Sequence, residues 1–204
     1  MLDADRELAT GVARGPGPEV LGRIVERAQA AAIWARGRAP EFATWIDALP
    51  PEQLPTLRVT CPVARVAEVA TEACDMAQMP EAPARDMLCG DIAALAEIFG
   101  RVMRCDHLRL RLDVVQGDAC RRFHLDNVPA RLLCTYRGRG TEYGLARTAG
   151  DPEPVMRMAA GDAGLFRGGA WPGAPRPGLV HRSPPIAGRG ETRLLLVLDL
   201  PEAG

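Results

Sequence analysis

The sequence predicts an α+β protein, with helices gathered in its first half and a β-sandwich or jelly roll in its second. Two observations predict it. Apolar residues recur at helical spacing up to about residue 103; from about 106 they alternate, Leu108, Leu110, Leu112 and Val114 being set between Arg109, Arg111 and Asp113. Glycine turns (Gly117-Asp118, Gly138-Arg139-Gly140, Gly161-Asp162) then separate several short apolar segments. Helices in series followed by strands in series is the order of an α+β architecture.

Residues 1–50 read as helical. Pro18 to Ala35 carries Val20, Leu21, Ile24, Val25, Ala28 and Ala32 at helical spacing, with Gly37 as its stop. Pro40 to Leu49 is a shorter helix with Phe42, Trp45, Ile46 and Leu49 on one stripe, broken by Pro50, Pro51 and Pro55. Residues 63–77 and 84–103 are two more helices, the second with Met87, Leu88, Ile92, Leu95, Ala96, Phe99 and Met103 on its apolar side. The strands expected after them are the alternating run from about 106 through Val114, Arg121–Asp126, Arg131–Arg137, a hairpin of Val155–Met158 with Ala163–Arg167, then Leu179–Arg182 and Thr192–Leu200, with a Pro/Gly loop at 168–178. Residues 1–55 form a helical extension and 56–204 the main body, the two making one compact unit; 106–200 supplies the β-core and the helices cover one face.

Composition narrows the chemistry. A chain of 204 residues with net charge −1 carries no basic footprint for nucleic acid. The start, Met1 to Glu7, lacks a basic stretch followed by an apolar run, and no apolar run nears the ~18 residues of a membrane span, so a soluble cytoplasmic protein without membrane partners is expected. The oligomeric state is not set by the sequence. There is no lysine, one serine (Ser183) and one asparagine (Asn127). A Gly-Lys-Ser/Thr phosphate loop, a Schiff-base lysine and a Gly-x-Ser-x-Gly elbow are therefore excluded. Six cysteines lie 13 to 16 residues apart with no Cys-x-x-Cys, which argues for reduced, mostly buried thiols rather than a zinc ribbon.

The most informative stretch is Phe123-His124-Leu125-Asp126, answered much later by His181 and Arg193. Two residues apart on an extended segment, His124 and Asp126 share a face; with a distant His181 they have the spacing of a 2-His-1-carboxylate triad, which leaves metal positions open. His107, on the polar face of its strand with Arg109 and Arg111, reads as solvated. Arg193 stands on one face of the last strand with Leu195, Val197 and Asp199, while Leu194, Leu196 and Leu198 take the other. A charge there needs a partner, either Asp199 or another carboxylate of the chain, or an anionic co-substrate beside the metal. Tyr136 reads as a second donor to that anion or as a core tyrosine. Trp171, in the Pro/Gly loop, reads as a lid or as a pin holding the loop down. Arg121, Arg122 and Arg182 flank the ligands and are candidates to draw in an acidic substrate.

Three runs, Leu112 to Asp126 (LDVVQGDACRRFHLD), Leu133 to Glu142 (LCTYRGRGTE) and Leu179 to Pro185 (LVHRSPP), resemble a bacterial family known as the domain of unknown function 1826. The resemblance covers roughly residues 55–200 and brings no activity. More distantly the same segments resemble the double-stranded β-helix (jelly roll, cupin-like) of Fe(II)/2-oxoglutarate-dependent oxygenases. That resemblance implies His124, Asp126 and His181 as iron ligands and Arg193 as the anchor of the far carboxylate of 2-oxoglutarate. One departure is Leu195, where many such enzymes have Ser or Thr two residues after the arginine. The expected function is an iron-dependent dioxygenase acting on a small-molecule or peptide substrate. The alternatives are a non-catalytic metal-binding accessory protein of metal homeostasis, and a cupin-like metalloenzyme using zinc or manganese as a Lewis acid.

Overall fold

The most apolar segment, Arg193–Asp199, is buried along its whole length in the computed structural model, which describes residues 8–201. The Met1–Glu7 stretch behind the expectation of no leader lies outside them, as do residues 202–204. A strand buried on both faces belongs inside a covered sheet. In chain order the strands are β1 (Leu8–Ala9), β2 (Gly11–Gly15), β3 (Gln29–Trp34), β4 (Leu57–Pro62), β5 (His107–Val115), β6 (Ala130–Arg137), β7 (Glu142–Leu145), β8 (Met156–Arg157), β9 (Ala163–Arg167), β10 (Arg176–Pro177), β11 (Leu179–Arg182) and β12 (Arg193–Asp199). Seven form one sheet in the order β2-β3-β9-β6-β12-β5-β4, antiparallel except where β2 meets β3. A smaller antiparallel sheet runs β11-β7-β8, and β1 pairs with β10 in parallel.

Period-two alternation divides the large sheet into two chemical faces. Leu194, Leu196 and Leu198 of β12 join Leu108, Leu110 and Leu112 of β5 in the larger core. There they meet Leu88, Ile92, Leu95 and Phe99 of α3 (Pro83–Met103), alongside α1 (Pro40–Ala48) and α2 (Val66–Met76). Proline at the first turn starts α3, where its missing N–H is no loss, and Arg104 in the left-handed region (φ 54°) ends it just before β5. On the opposite face Leu195 and Val197 pack with Leu133 and Phe166 against Tyr143 and Leu179 of the small sheet.

Four expectations are corrected. The helix from Pro18 ends early, as a 3-10 helix over Pro18–Val25, and Gln29–Trp34 is a strand. β3 lies between β2 and β9, with Ala32 in the helix-side core and Ala31 and Ile33 in the other. An alanine run buried on both faces has no alternation to read, and pairing overrides its helical propensity. The β-core therefore reaches beyond 106–200, since β2, β3 and β4 join the large sheet from the first half. Arg121–Asp126 is no strand; it makes a single bridge, His124 to His181. Nor do β8 and β9 form a hairpin: β8 pairs with β7, and β9 lies between β3 and β6. Among the described residues no helix is long and apolar enough to cross a membrane.

Candidate metal centre

His124 and His181 meet across that bridge, each backbone N–H donating to the other's carbonyl at 3.0 Å. Directly opposed residues in an antiparallel pair send their side chains to one face. The two rings accordingly lie 4.8 Å apart, centroid to centroid. Asp126, two residues on, follows to the same side: its Oδ1 is 3.5 Å from His124 Nε2 and its Oδ2 3.0 Å from His181 Nε2. One ligand atom from each of the three lies within 4.8 Å of the others.

The surroundings aim these atoms. His181 is held by β11, opposite Tyr143 of β7, with the Phe166 ring 5.1 Å away. The segment carrying Asp126 is tied to the turn after β9 by Gly168 N–H to Pro129 O, Gly169 N–H to Asp126 O and Ala170 N–H to Val128 O. Gly168 is required there, because a Cβ would stand 1.9 Å from the Val128 carbonyl oxygen. His124 Nδ1 is 2.9 Å from the carbonyl oxygen of Arg122. A carbonyl can only accept, so Nδ1 carries the proton and Nε2 keeps its lone pair for a metal.

Asp126 shows the same division. Its Oδ1 accepts a hydrogen bond from Arg131, whose Nε and Nη2 hold Asp199 at 2.7 and 2.9 Å. Its Oδ2 is buried and accepts none, although His181 Nε2 is so near. Burial alone would raise the Asp126 pKa; His124, His181 and the Arg131 charge outweigh it and hold the carboxyl well below the usual range. A shielded carboxylate oxygen and imidazole nitrogens, close together with no aligned hydrogen bond to spend them on, fit a divalent cation. Two nitrogens and one oxygen on one side is the donor set suited to Fe(II), with Mn(II) or Zn(II) also accommodated.

The two histidines line a cavity of about 340 Å³ between the sheets, floored by Leu133, Leu195 and Val197. Arg193 lies behind Ser183, one of the lining residues; it is fully buried, and its hydrogen-bond partners are neutral: the Arg139 carbonyl at 2.6 Å, Ser183 Oγ at 2.9 Å and Thr135 Oγ1 at 3.3 Å. It is not paired with Asp199, which belongs to Arg131. Burial pulls the Arg193 guanidinium down to about 10, with only the field of Glu142 opposing; Glu142 itself is bound by Arg157 and by Arg182.

Not every predicted site residue gathers here. Tyr136 follows Leu132 and Cys134 onto the helix-side face, where its hydroxyl donates to Asp91 at 2.7 Å, so the reading of it as a co-substrate donor is corrected by strand parity. Trp171 packs on the helix-side core beneath Arg167, 4.4 Å from its ring centroid; it pins the loop and is no lid over the histidines. Arg182 lines the cavity but is tied to Glu142 and Asp151 and stacked over Phe123, and Arg122 contributes its carbonyl. Sequence reasoning missed Arg131, visible only as one more charge in a strand, and the hydroxyls of Thr135 and Ser183.

A mostly antiparallel sheet presenting a His-x-Asp…His cluster beside a buried arginine defines the class of site. Of solved structures, a dioxygenase for auxin oxidation from Arabidopsis thaliana, in complex with 2-oxoglutarate, shares the fold: TM-score 0.55 and 10% identity over 96% of this chain and 93% of that one. The rice dioxygenase for auxin oxidation gives 0.49 and 14% over 95% and 83%, and a Pseudomonas putida prolyl-4-hydroxylase 0.45 and 15% over 92% and 99%. No curated protein sequence matches the chain. The chain belongs to the family described as protein of unknown function DUF1826, whose model matches residues 15–199.

Proposed function

We propose that the protein is a non-haem Fe(II)/2-oxoglutarate-dependent oxygenase, its two sheets forming the walls of a double-stranded β-helix. The observation that carries this reading is Arg193. A buried cation whose hydrogen bonds go only to neutral oxygens, with no more than the field of Glu142 in its favour, lacks a directly paired anion to offset its desolvation. A dicarboxylate that reaches from His124, Asp126 and His181 to Arg193 supplies it. The fold shared with the Arabidopsis dioxygenase supports the same co-substrate. Leu195 stands where Ser or Thr is usual, and the hydroxyls already on Arg193, Ser183 and Thr135, are placed to take over that contact.

Fe(II), when bound, would supply the activation of O2, with 2-oxoglutarate as the two-electron co-reductant, for attack on a substrate C–H bond. The chain's share is the three-ligand geometry, a fixed positive charge for the far carboxylate and an apolar floor that excludes water. The test is oxygen-dependent succinate formation from 2-oxoglutarate by protein reconstituted anaerobically with Fe(II). Turnover that disappears in His124→Ala is expected. Absence of succinate, together with no 2-oxoglutarate binding to the Mn(II)-loaded wild type, overturns the reading.

A further inference from the structure

The same cavity holds a second group of arginines that neither the metal nor 2-oxoglutarate uses. Strand register sets Arg58 of β4 directly opposite Arg111 of β5, and both line the cavity with the two histidines. Like charges facing each other across a strand pair oppose folding unless an anion lies between them or close by. The cavity's other arginines have their acids: Arg131 has Asp199 and Asp126, and Arg182 has Glu142 and Asp151. The acid beside Arg111 is Asp113, whose Oδ2 is 3.8 Å from Arg111 Nη2, too far for a hydrogen bond. Arg111 Nε is buried and has no hydrogen-bond partner. Burial disfavours its charge; Asp113 and, less strongly, Asp199 offset part of this, and Arg131 and Arg58 add to it.

Between this pair and the histidines the wall is apolar. Arg111 stands opposite Val197 of β12, which stands opposite Leu133 of β6, one row across three strands. Val114, Val115 and Leu195 border the same space.

We propose that the substrate is a small molecule with an apolar body and one anionic group, a carboxylate or phosphate, held by Arg111 and Arg58 so that the body lies along Val197 and Leu133 toward the metal. This rests on the oxygenase reading for the role of the site, and on the cavity alone for the anion. Arg111 is then a specificity-determining residue, its planar fork matching either anion.

The probes are benzoate and phenyl phosphate, with benzyl alcohol as the neutral counterpart, titrated calorimetrically into Mn(II)-loaded protein saturated with 2-oxoglutarate so that Arg193 is occupied. The anions should bind at least roughly tenfold more tightly than the alcohol, a lower bound for a charge-assisted contact, and whichever binds more tightly names the head group. Broadening of the bound probe's proton resonances by Mn(II) should place its ring near the metal. Arg111→Gln should weaken the anions by roughly 10- to 150-fold, the range of a charge-assisted hydrogen bond, and the more exposed Arg58→Gln by a few-fold, with Mn(II) affinity unchanged. Equal binding of benzyl alcohol, no anion binding by the wild type, or unchanged binding in Arg111→Gln overturns the proposal. Should Mn(II) not bind, the oxygenase reading fails separately, and the same titrations of metal-free protein still decide whether the arginine pair holds an anion.

Discussion

The two faces of the large sheet are built from the same strands yet treat polar groups in opposite ways. On the helix-covered face a cavity of about 410 Å³ holds Arg36, Asp91 and Tyr136, and these satisfy one another: Arg36 grips Asp91 at 2.5 and 2.7 Å, and Tyr136 completes it at 2.7 Å. On the other face Asp126 Oδ2 and Arg111 Nε have no partner and Arg193 has no acid. Of these two cavities the larger is not the one with open valences. Buried polar groups left incomplete are costly unless something else completes them, so the face with open valences is the one built for ligands.

The comparison breaks first at Asp126. Asp126→Ala removes one of three ligands and the negative charge, and stoichiometric Mn(II) or Co(II) binding at micromolar metal should be lost while the circular dichroism spectrum stays that of the wild type. Retained stoichiometry would mean that the open face holds no metal. The converse substitution lies on the covered face. Phe99→Ala empties a fully buried site in the main core and should cost about 3–5 kcal/mol in urea denaturation, with metal stoichiometry unchanged in the folded fraction. A small loss there would show that the helices contribute less than their burial implies.

How far the sequence could be read follows from the same division. The helix-side face was legible, because helices 63–77 and 84–103 and the alternation of β5 announce one-sided burial. The two histidines and Asp126 were legible through spacing, although the segment was expected as a strand and proves to be one bridge. What escaped has a common cause. Arg109, Arg111 and Asp113 alternate with leucines as a solvated face would, and nothing local distinguishes a polar face toward water from one toward an enclosed cavity. Only the second sheet makes the difference, and β7, one of its strands, was not anticipated. β3 escaped because its alanines are buried on both sides, and Arg131 because Asp199, which it joins to Asp126, lies 68 residues further on.

Two substitutions on the open face sharpen the comparison by separating ligand binding from stability. Arg193→Leu should weaken 2-oxoglutarate binding to the Mn(II)-loaded protein by roughly 10- to 150-fold, the range of a charge-assisted hydrogen bond. Its melting temperature should hold or rise, since an uncompensated buried cation is replaced by an apolar side chain. A large fall in stability with unchanged binding would make Arg193 a structural residue. Arg131→Gln keeps a donor near Asp126 but loses the link to Asp199. Metal affinity should fall by about 10- to 100-fold, as for other outer contacts that orient a ligand, and Arg131→Lys should recover part of it. Equal affinity in all three proteins would remove Arg131 from any positioning role.

The smallest expected effect tests the line between the faces. Tyr136 sits one residue from Thr135, which touches Arg193, yet parity sends its hydroxyl through the sheet to Asp91. Burial first, then the Cys134 thiol and Asp91, push its phenol well above the ordinary value, so it remains a hydrogen-bond donor. Tyr136→Phe removes that one bond, while Arg36 still holds both Asp91 oxygens. The cost should be about 1 kcal/mol of stability, the net worth of a single hydrogen bond. Binding of Mn(II), of 2-oxoglutarate and of phenyl phosphate should all match the wild type in calorimetry. A tenfold loss of 2-oxoglutarate affinity in Tyr136→Phe, at unchanged metal affinity, would mean that the two faces communicate through β6 and that the division between a satisfied face and an open one is wrong.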